Sequence, residues 1–268
     1  MSNIHFVTIS FNKSKKFLLK DYGTVWHLLW SFASSLYKNG NILNSIDFFS
    51  PTKNSLIFYA VIPATDALHD LYLCRHALEA KNKLEQLGVI ISCKITAEYI
   101  NETPIDIEEN IENARFLYLY PISHLNDYEQ RLVLRTNKGK YLPLYIINDN
   151  KDPYLEQDIT FWKNDYTAIK SLWLSSYKIL EPLMEKQLSE LDSDISIKGR
   201  KISKRIQKSL KKKVFYPIAE PVSGNSYARS DYSNCPSCKK NWQLKTTFHR
   251  IFDYKCNKCL LLGYELNS

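Results

Sequence analysis

Glycine is scarce in this chain, 7 in 268 residues, and proline reaches only 10. So little glycine leaves no phosphate-cradling loop, and the composition excludes a long low-complexity or disordered tract. No uninterrupted apolar run approaches the ~18 residues that a membrane-spanning helix needs. The six histidines form no ligand or triad pattern. His69 and His76 can share a helix face, but no carboxylate pair or nucleophile motif stands beside them. Carboxylates such as Glu108 and Glu109 fall in an acidic linker with no positional pattern for acid/base work. No active site is legible, and the expectation is a protein that is not an enzyme. Met1–Phe11 lacks the basic start, apolar stretch and cleavage site of an export signal, so a cytoplasmic location with reduced thiols and no membrane partner is expected.

Charge is unevenly placed. The net charge is +8. Residues 196–268 hold 16 Lys/Arg against 4 Asp/Glu, while the first 195 hold 20 against 24. The C-terminal third therefore suits an acidic partner, nucleic acid being the commonest.

Hydrophobic periodicity gives an α+β chain. Ile4–Phe11 alternates as a strand does, and Thr24–Lys38 repeats Val25, Leu28, Leu29, Phe32 and Leu36 at helical spacing before Asn39-Gly40. Ile42–Phe49 and Ser55–Ile62 flank a turn at Pro51–Asn54 and read as a hairpin. A helix from about Asp66 to Leu87 carries Leu71, Cys74, Leu78 and Leu84, and Val89–Tyr99 is a further strand. Strand, helix, strand, strand, helix, strand is the ferredoxin-like βαββαβ order, assigned to residues 1–100. Residues 101–225 read as an α+β middle region. It holds a strand at Ala114–Tyr120, a hairpin of Arg131–Arg135 with Tyr141–Ile147, and helical segments broken near Pro182 that include Leu172, Trp173, Ile179, Leu180, Leu183 and Leu188. The middle region ends in a basic helix, Lys198–Lys213. Cys74 and Cys93 lie in apolar stretches and read as core thiols.

Residues 226–268 carry the chemistry. Cys235-Pro236-Ser237-Cys238 and Cys256-Asn257-Lys258-Cys259 are two CxxC pairs, each suited to a tight knuckle that turns both sulfurs inward. The seventeen residues between them are long enough for a hairpin, Trp242–Thr247 with Ile251–Lys255, and Leu260–Leu266 can add a third strand. Cys235, Cys238, Cys256 and Cys259 are thus the expected ligands of one structural Zn²⁺ per chain in a zinc ribbon. The rivals are a dithiol redox pair, a disulfide-closed tail and an iron–sulfur site; redox motifs usually come as one pair on a βαβ scaffold, and iron leaves no separate mark here.

Two cationic features accompany the ribbon. Lys198–Lys213 contains nine basic residues in sixteen and no acid. Ile202, Ile206 and Leu210 fall on one stripe, which turns Lys201, Lys204, Arg205, Lys208, Lys211 and Lys212 outward, either toward phosphates or as plain solvated surface. On the ribbon, Lys239, Lys240, Lys245, Arg250, Lys255 and Lys258 alternate with Trp242, Phe248, Phe252 and Tyr254. Such interleaving suits single-stranded nucleic acid, although Trp242 and Phe252 are more economically read as a miniature core.

Pro143-Leu144-Tyr145, Thr160–Tyr166, Leu172-Trp173, Gly199-Arg200 and the CxxC pairs with Trp242 between them give a resemblance across roughly residues 110–268. On these residues the chain resembles a bacterial family of unknown function, described as zinc-ribbon-containing, with nucleic-acid binding as its suggested role. That resemblance implies a domain ending in the ribbon and no established activity. The expected function is a non-enzymatic zinc-ribbon binding protein whose basic C-terminal face takes nucleic acid. The alternative is a protein-binding role, such as an adaptor or an immunity protein that neutralises a toxin.

Overall fold

Strict alternation in β1 (His5–Lys13) decides the first architecture: Val7, Ile9 and Phe11 are buried, while Phe6, Thr8 and Ser10 take the other face and are only half-buried. The computed structural model describes residues 4–15, 22–44, 49–98, 106–108, 110–121, 133–147, 152, 154–176, 179–221 and 232–265. Two units form, the first centred on residues 1–111 with 140–157 and the second on residues 112–122 and 133–139 with 158–268.

In the first unit, α1 (Tyr22–Lys38) buries Val25, Leu29, Phe32, Ala33 and Leu36 along one stripe. It stops where Gly40 takes φ +75° and its N–H turns back to the Tyr37 carbonyl at 3.2 Å. β2 (Ser50–Pro51) and β3 (Ser55–Ile62) follow, then α2 (Arg75–Gln86), which buries Ala77, Ala80 and Leu84, and β4 (Val89–Glu98). The sheet order is β2-β3-β1-β4 with every neighbour antiparallel, and both helices pack on the Val7, Ile9, Phe11 face. This is the expected βαββαβ topology. β7 (Tyr141–Leu142) joins the unit through a bridge to Ile107, and Tyr145 enters its core.

Several local expectations are corrected. Residues 42–44 do not extend a hairpin strand, because the Asn44 side chain, not a strand carbonyl, accepts the Val61 N–H at 2.7 Å; residues 45–48 lie outside those described. The long helix expected from Asp66 is two pieces. His69 caps a 3-10 turn at Asp70–Tyr72, Leu73 and Cys74 are extended, and only then does α2 begin. Leu71 is accordingly 79% exposed. Residues 144–147 form a 3-10 turn instead of a strand. Cys93 is exposed rather than a core thiol, since α2 covers only the start of β4.

The second unit is built on parallel pairing. β5 (Phe116–Leu119) and β11 (Leu261–Glu265) flank β8 (Lys213–Glu220), both parallel to it, in the order β6-β5-β8-β11-β10-β9. β6 is Leu134–Thr136, β9 Gln243–Phe248 and β10 Phe252–Cys256. Strands assigned in the sequence to the middle region and to the ribbon therefore share one sheet. α3 (Leu155–Ser175), α4 (Glu181–Ser189) and α5 (Asp194–Leu210) complete the unit; Pro182 lies in the first turn of α4, where its missing N–H costs nothing. α5 begins four residues before the expected basic helix. Ser193 accepts the Ser196 N–H at 3.3 Å as its cap, and Lys211 at φ 53° ends it. Of the apolar residues that set the helical pattern near the break, Trp173 and Leu188 are buried but Leu172, Ile179, Leu180 and Leu183 are exposed.

Candidate metal centre

Each cysteine pair sits on a reverse turn. In the first, the Cys235 N–H donates to the Lys240 carbonyl and the Lys239 N–H to the Cys235 carbonyl, both at 2.8 Å. In the second, the Cys259 N–H donates to the Cys256 sulfur at 3.3 Å. Both turns leave through a non-glycine residue in the left-handed region, Lys239 at φ 59° and Leu260 at φ 55°. The two knuckles thus share a left-handed exit, and β9 and β10 carry the chain between them.

All four Sγ atoms lie within 4.8 Å of one another, and Cys238 Sγ stands 3.7 Å from Cys256 Sγ. A tetrahedron with metal–sulfur bonds of ~2.3 Å has edges of about 3.8 Å, so this spacing fits a thiolate-bound ion. Backbone N–H groups tune the thiols. That of Lys240 draws Cys238 down to about 7, whereas burial pushes Cys235 up to about 12 and also raises Cys259. With all four donors supplied by protein, such a site has no open coordination position.

Aromatic rings back the first knuckle. Trp242, 2% exposed, donates its indole N–H to the Tyr232 carbonyl at 2.7 Å and stacks on Tyr254 at 5.3 Å. The Tyr232 hydroxyl donates to the Ile218 carbonyl on β8 at 3.3 Å, tying the knuckle to the sheet. A Cβ on Gly263 would meet the Trp242 ring at 2.8 Å, which is why β11 carries glycine where the indole crosses it. Trp242 and Phe252 are therefore core, as the miniature-core reading has it. Sequence reasoning passed over Tyr232, whose only signal is being aromatic near a cysteine pair, and placed Tyr254 only among the aromatics that alternate with the basic residues.

The cationic residues separate into two groups. Lys201, Lys204, Lys208 and Lys211 of α5 and its end are exposed, as are Lys239, Lys240 and Lys245 of the ribbon, with Arg250 and Lys258. Arg205 is half-buried on Asp158 at 2.5 Å, and Lys212 reaches Glu112 at 3.2 Å, so neither stands outward as the stripe implied. Lys198 meets Asp165 at 2.8 Å. Lys255 lies over the ring of Phe116 at 3.8 Å, with Phe215 and Phe248 also close, and burial lowers its pKa. It is a cation packed among aromatics, not part of an exposed patch.

Residues 112–218 match a family described as a domain of unknown function (DUF2310), and residues 224–263 match another of the same description (DUF8594). Two uncharacterized proteins of Haemophilus influenzae are each 31% identical over 122 residues, 46% of this chain. The match covers 59% of one and 46% of the other, so the chain spans about half the length of the curated relatives it matches. Two solved structures are similar over 37% of this chain, each at a TM-score of 0.28. One is a candidate antibiotic biosynthesis monooxygenase from Deinococcus radiodurans, 15% identical over 98% of that chain; the other is Rv0793 from Mycobacterium tuberculosis, 13% identical over 99%. The relatives are thus bacterial and of unknown function, and no helix among the described residues is long and apolar enough to cross a membrane.

The residues that carried the family resemblance have a structural explanation. Trp162 and Tyr166 are fully buried, Trp162 donates its indole N–H to the Ile195 carbonyl at 3.0 Å, and Gly199 lies against both Trp162 and Tyr216. They are joints between α3, α5 and β8, not members of the metal centre.

Proposed function

We propose that Cys235, Cys238, Cys256 and Cys259 hold one structural zinc ion, forming a zinc ribbon fused to the sheet of the second unit, and that the protein is a non-enzymatic binding protein. The observation that carries this is the mutual approach of the four sulfurs within 4.8 Å on two matching knuckles. Zinc suits an all-sulfur tetrahedron and, with every position taken by protein, would order the fold without activating water.

The favoured partner is nucleic acid, supported by the exposed Lys201, Lys204, Lys208, Lys211, Lys239, Lys240 and Lys245. Changing Lys201, Lys204, Lys208 and Lys211 to Glu should abolish DNA or RNA binding at unchanged zinc content. Binding by the parent protein should weaken steeply with salt, with a log–log slope of about −0.7 to −0.9 per phosphate contact. Titration with single- and double-stranded DNA and RNA at two ionic strengths tests this, and no binding at low salt sinks it. One observation favours a protein partner, such as an adaptor target or a toxin: Leu172, Leu174, Ile179, Leu180 and Leu183 are all exposed around the α3–α4 junction. A partner held there would show a much flatter salt dependence.

A further inference from the structure

The two edges of the first unit's sheet are treated differently. At one edge β2 is two residues long and contains Pro51, a short and proline-blunted margin of the kind that discourages strand addition. At the other, β4 runs ten residues from Val89 to Glu98 without a proline, and no strand pairs with its outer side among the described residues. Beyond Val89 and the half-buried Ile91 the strand is exposed throughout, with Ile90 at 55% and Ile95 at 46%. The edge of the second unit's sheet at β9 is polar by contrast, exposing Gln243, Lys245, Thr246 and Thr247.

We propose that β4 is a dimerisation edge, on which a second copy of this chain adds its own β4 antiparallel across a twofold axis. Three features favour a second copy over a foreign strand. First, among the described residues the four-stranded sheet offers one long, proline-free edge, so pairing closes at two copies instead of growing a fibre. Second, the regular stretch Val89–Ile95 is self-complementary about Ser92. Register with β1 puts Ile90, Ser92 and Lys94 on one face and Val89, Ile91, Cys93 and Ile95 on the other, up to the bulge near Thr96. A twofold at Ser92 sets Val89 opposite Ile95, Ile91 opposite Cys93, and Ile90 opposite Lys94, so every pair shares a face. Third, the charges avoid each other. Lys94, the one charged residue of this stretch, faces the aliphatic Ile90 of the other copy. The two Lys94 residues stand about 13 Å apart along the strands at ~3.3 Å per residue, beyond the screening length in physiological salt.

The test is the mass of the full-length chain by light scattering over a range of concentrations, for the parent and two variants at exposed Ile90. Ile90→Lys places a lysine opposite Lys94 at both symmetry-related positions and should raise the dimer dissociation constant about tenfold. Ile90→Glu loses the same apolar surface but places an acid opposite Lys94 and should dimerise as well as or better than the parent. Circular dichroism confirms that both variants are folded. A chain that stays monomeric at every concentration overturns the proposal and leaves the edge to a foreign strand. Equal effects of the two variants, or a dimer indifferent to both, overturn it as well, because self-pairing about Ser92 requires Ile90→Lys to weaken the dimer and Ile90→Glu not to.

Discussion

The hydroxyl of Tyr166 on α3 and that of Tyr264 on β11 share a hydrogen bond in the interior, 98 residues apart in sequence. Both side chains are fully buried, and burial raises both pKa values well beyond the ordinary phenol range. The pair fastens the last strand of the ribbon sheet to the longest helix of the unit.

Replacing either tyrosine by Phe should strand the other hydroxyl without water or partner, at a cost of about 1–3 kcal/mol. The double variant Tyr166→Phe with Tyr264→Phe should lose less than the sum of the singles. Urea unfolding of all four proteins as a double-mutant cycle measures the coupling, and strict additivity would show that the hydroxyls do not depend on each other.

Metal removal should reach beyond the ribbon. Leu261 to Glu265 pair with Tyr216 to Glu220, so losing the knuckles releases the partner of β8. Chelation, or Cys256→Ser, should abolish bound zinc and expose to hydrogen exchange the β8 amides that face β11, that of Tyr216 first because it donates to the Leu260 carbonyl, while those of β1 and β3 keep their protection. Elemental analysis of the parent should find about one zinc per chain. Unchanged exchange in β8 would mean that the ribbon is thermodynamically separate.

Two glycines should respond oppositely to alanine. A Cβ on Gly199 would sit 2.3 Å from Tyr216 Cε2 and 2.7 Å from Trp162 Nε1, so Gly199→Ala should cost about 1–3 kcal/mol or more through overpacking. Gly23, with nothing within 4 Å of its Cβ position, should gain a few tenths to about 1 kcal/mol on the same change. Thermal melts of the two variants decide the matter.

Lys170 offers a pH-dependent test. It is 8% exposed, its Nζ has no hydrogen-bond partner among the described residues, and burial lowers its pKa. In the window between the folded-state and unfolded-state pKa the unfolded chain binds more protons, so stability should rise with pH there; below both pKa values the full cost of burying the cation remains. Lys170→Met should raise the urea midpoint at pH 7 and flatten its rise toward pH 10.

The cysteine spacing made the four-sulfur cluster legible, because CxxC pairs place sulfurs locally and only one hairpin has to bring them together. β1 and α1 were equally legible, since Val7, Ile9, Phe11 and Val25, Leu29, Phe32, Leu36 repeat at the period of their own elements. What periodicity does not show is which stripe finds a partner. Ile179 and Leu183 repeat like core residues yet face solvent, and Cys93 lies in an apolar strand that the helices leave uncovered. Nor does local pattern reveal that β11 pairs with β8, because parallel pairing is set by tertiary packing across dozens of residues. Arg205 and Lys212 look identical to their exposed neighbours until Asp158 and Glu112 are brought up from distant sequence.

Parallel pairing around β8 also imposes an order of events during synthesis. β5 leaves the ribosome about a hundred residues before its partner β8, a wait of roughly 5–20 s at ordinary elongation rates, and β8 in turn precedes β11 by some fifty residues. Throughout that interval Leu117, Tyr118 and Leu119, all fully buried in the finished protein, have no completed sheet to enter. The strands of the first unit's four-stranded sheet, by contrast, are all in hand once residue 98 emerges. The nascent chain is therefore most vulnerable to misassociation between the emergence of β5 and that of β11.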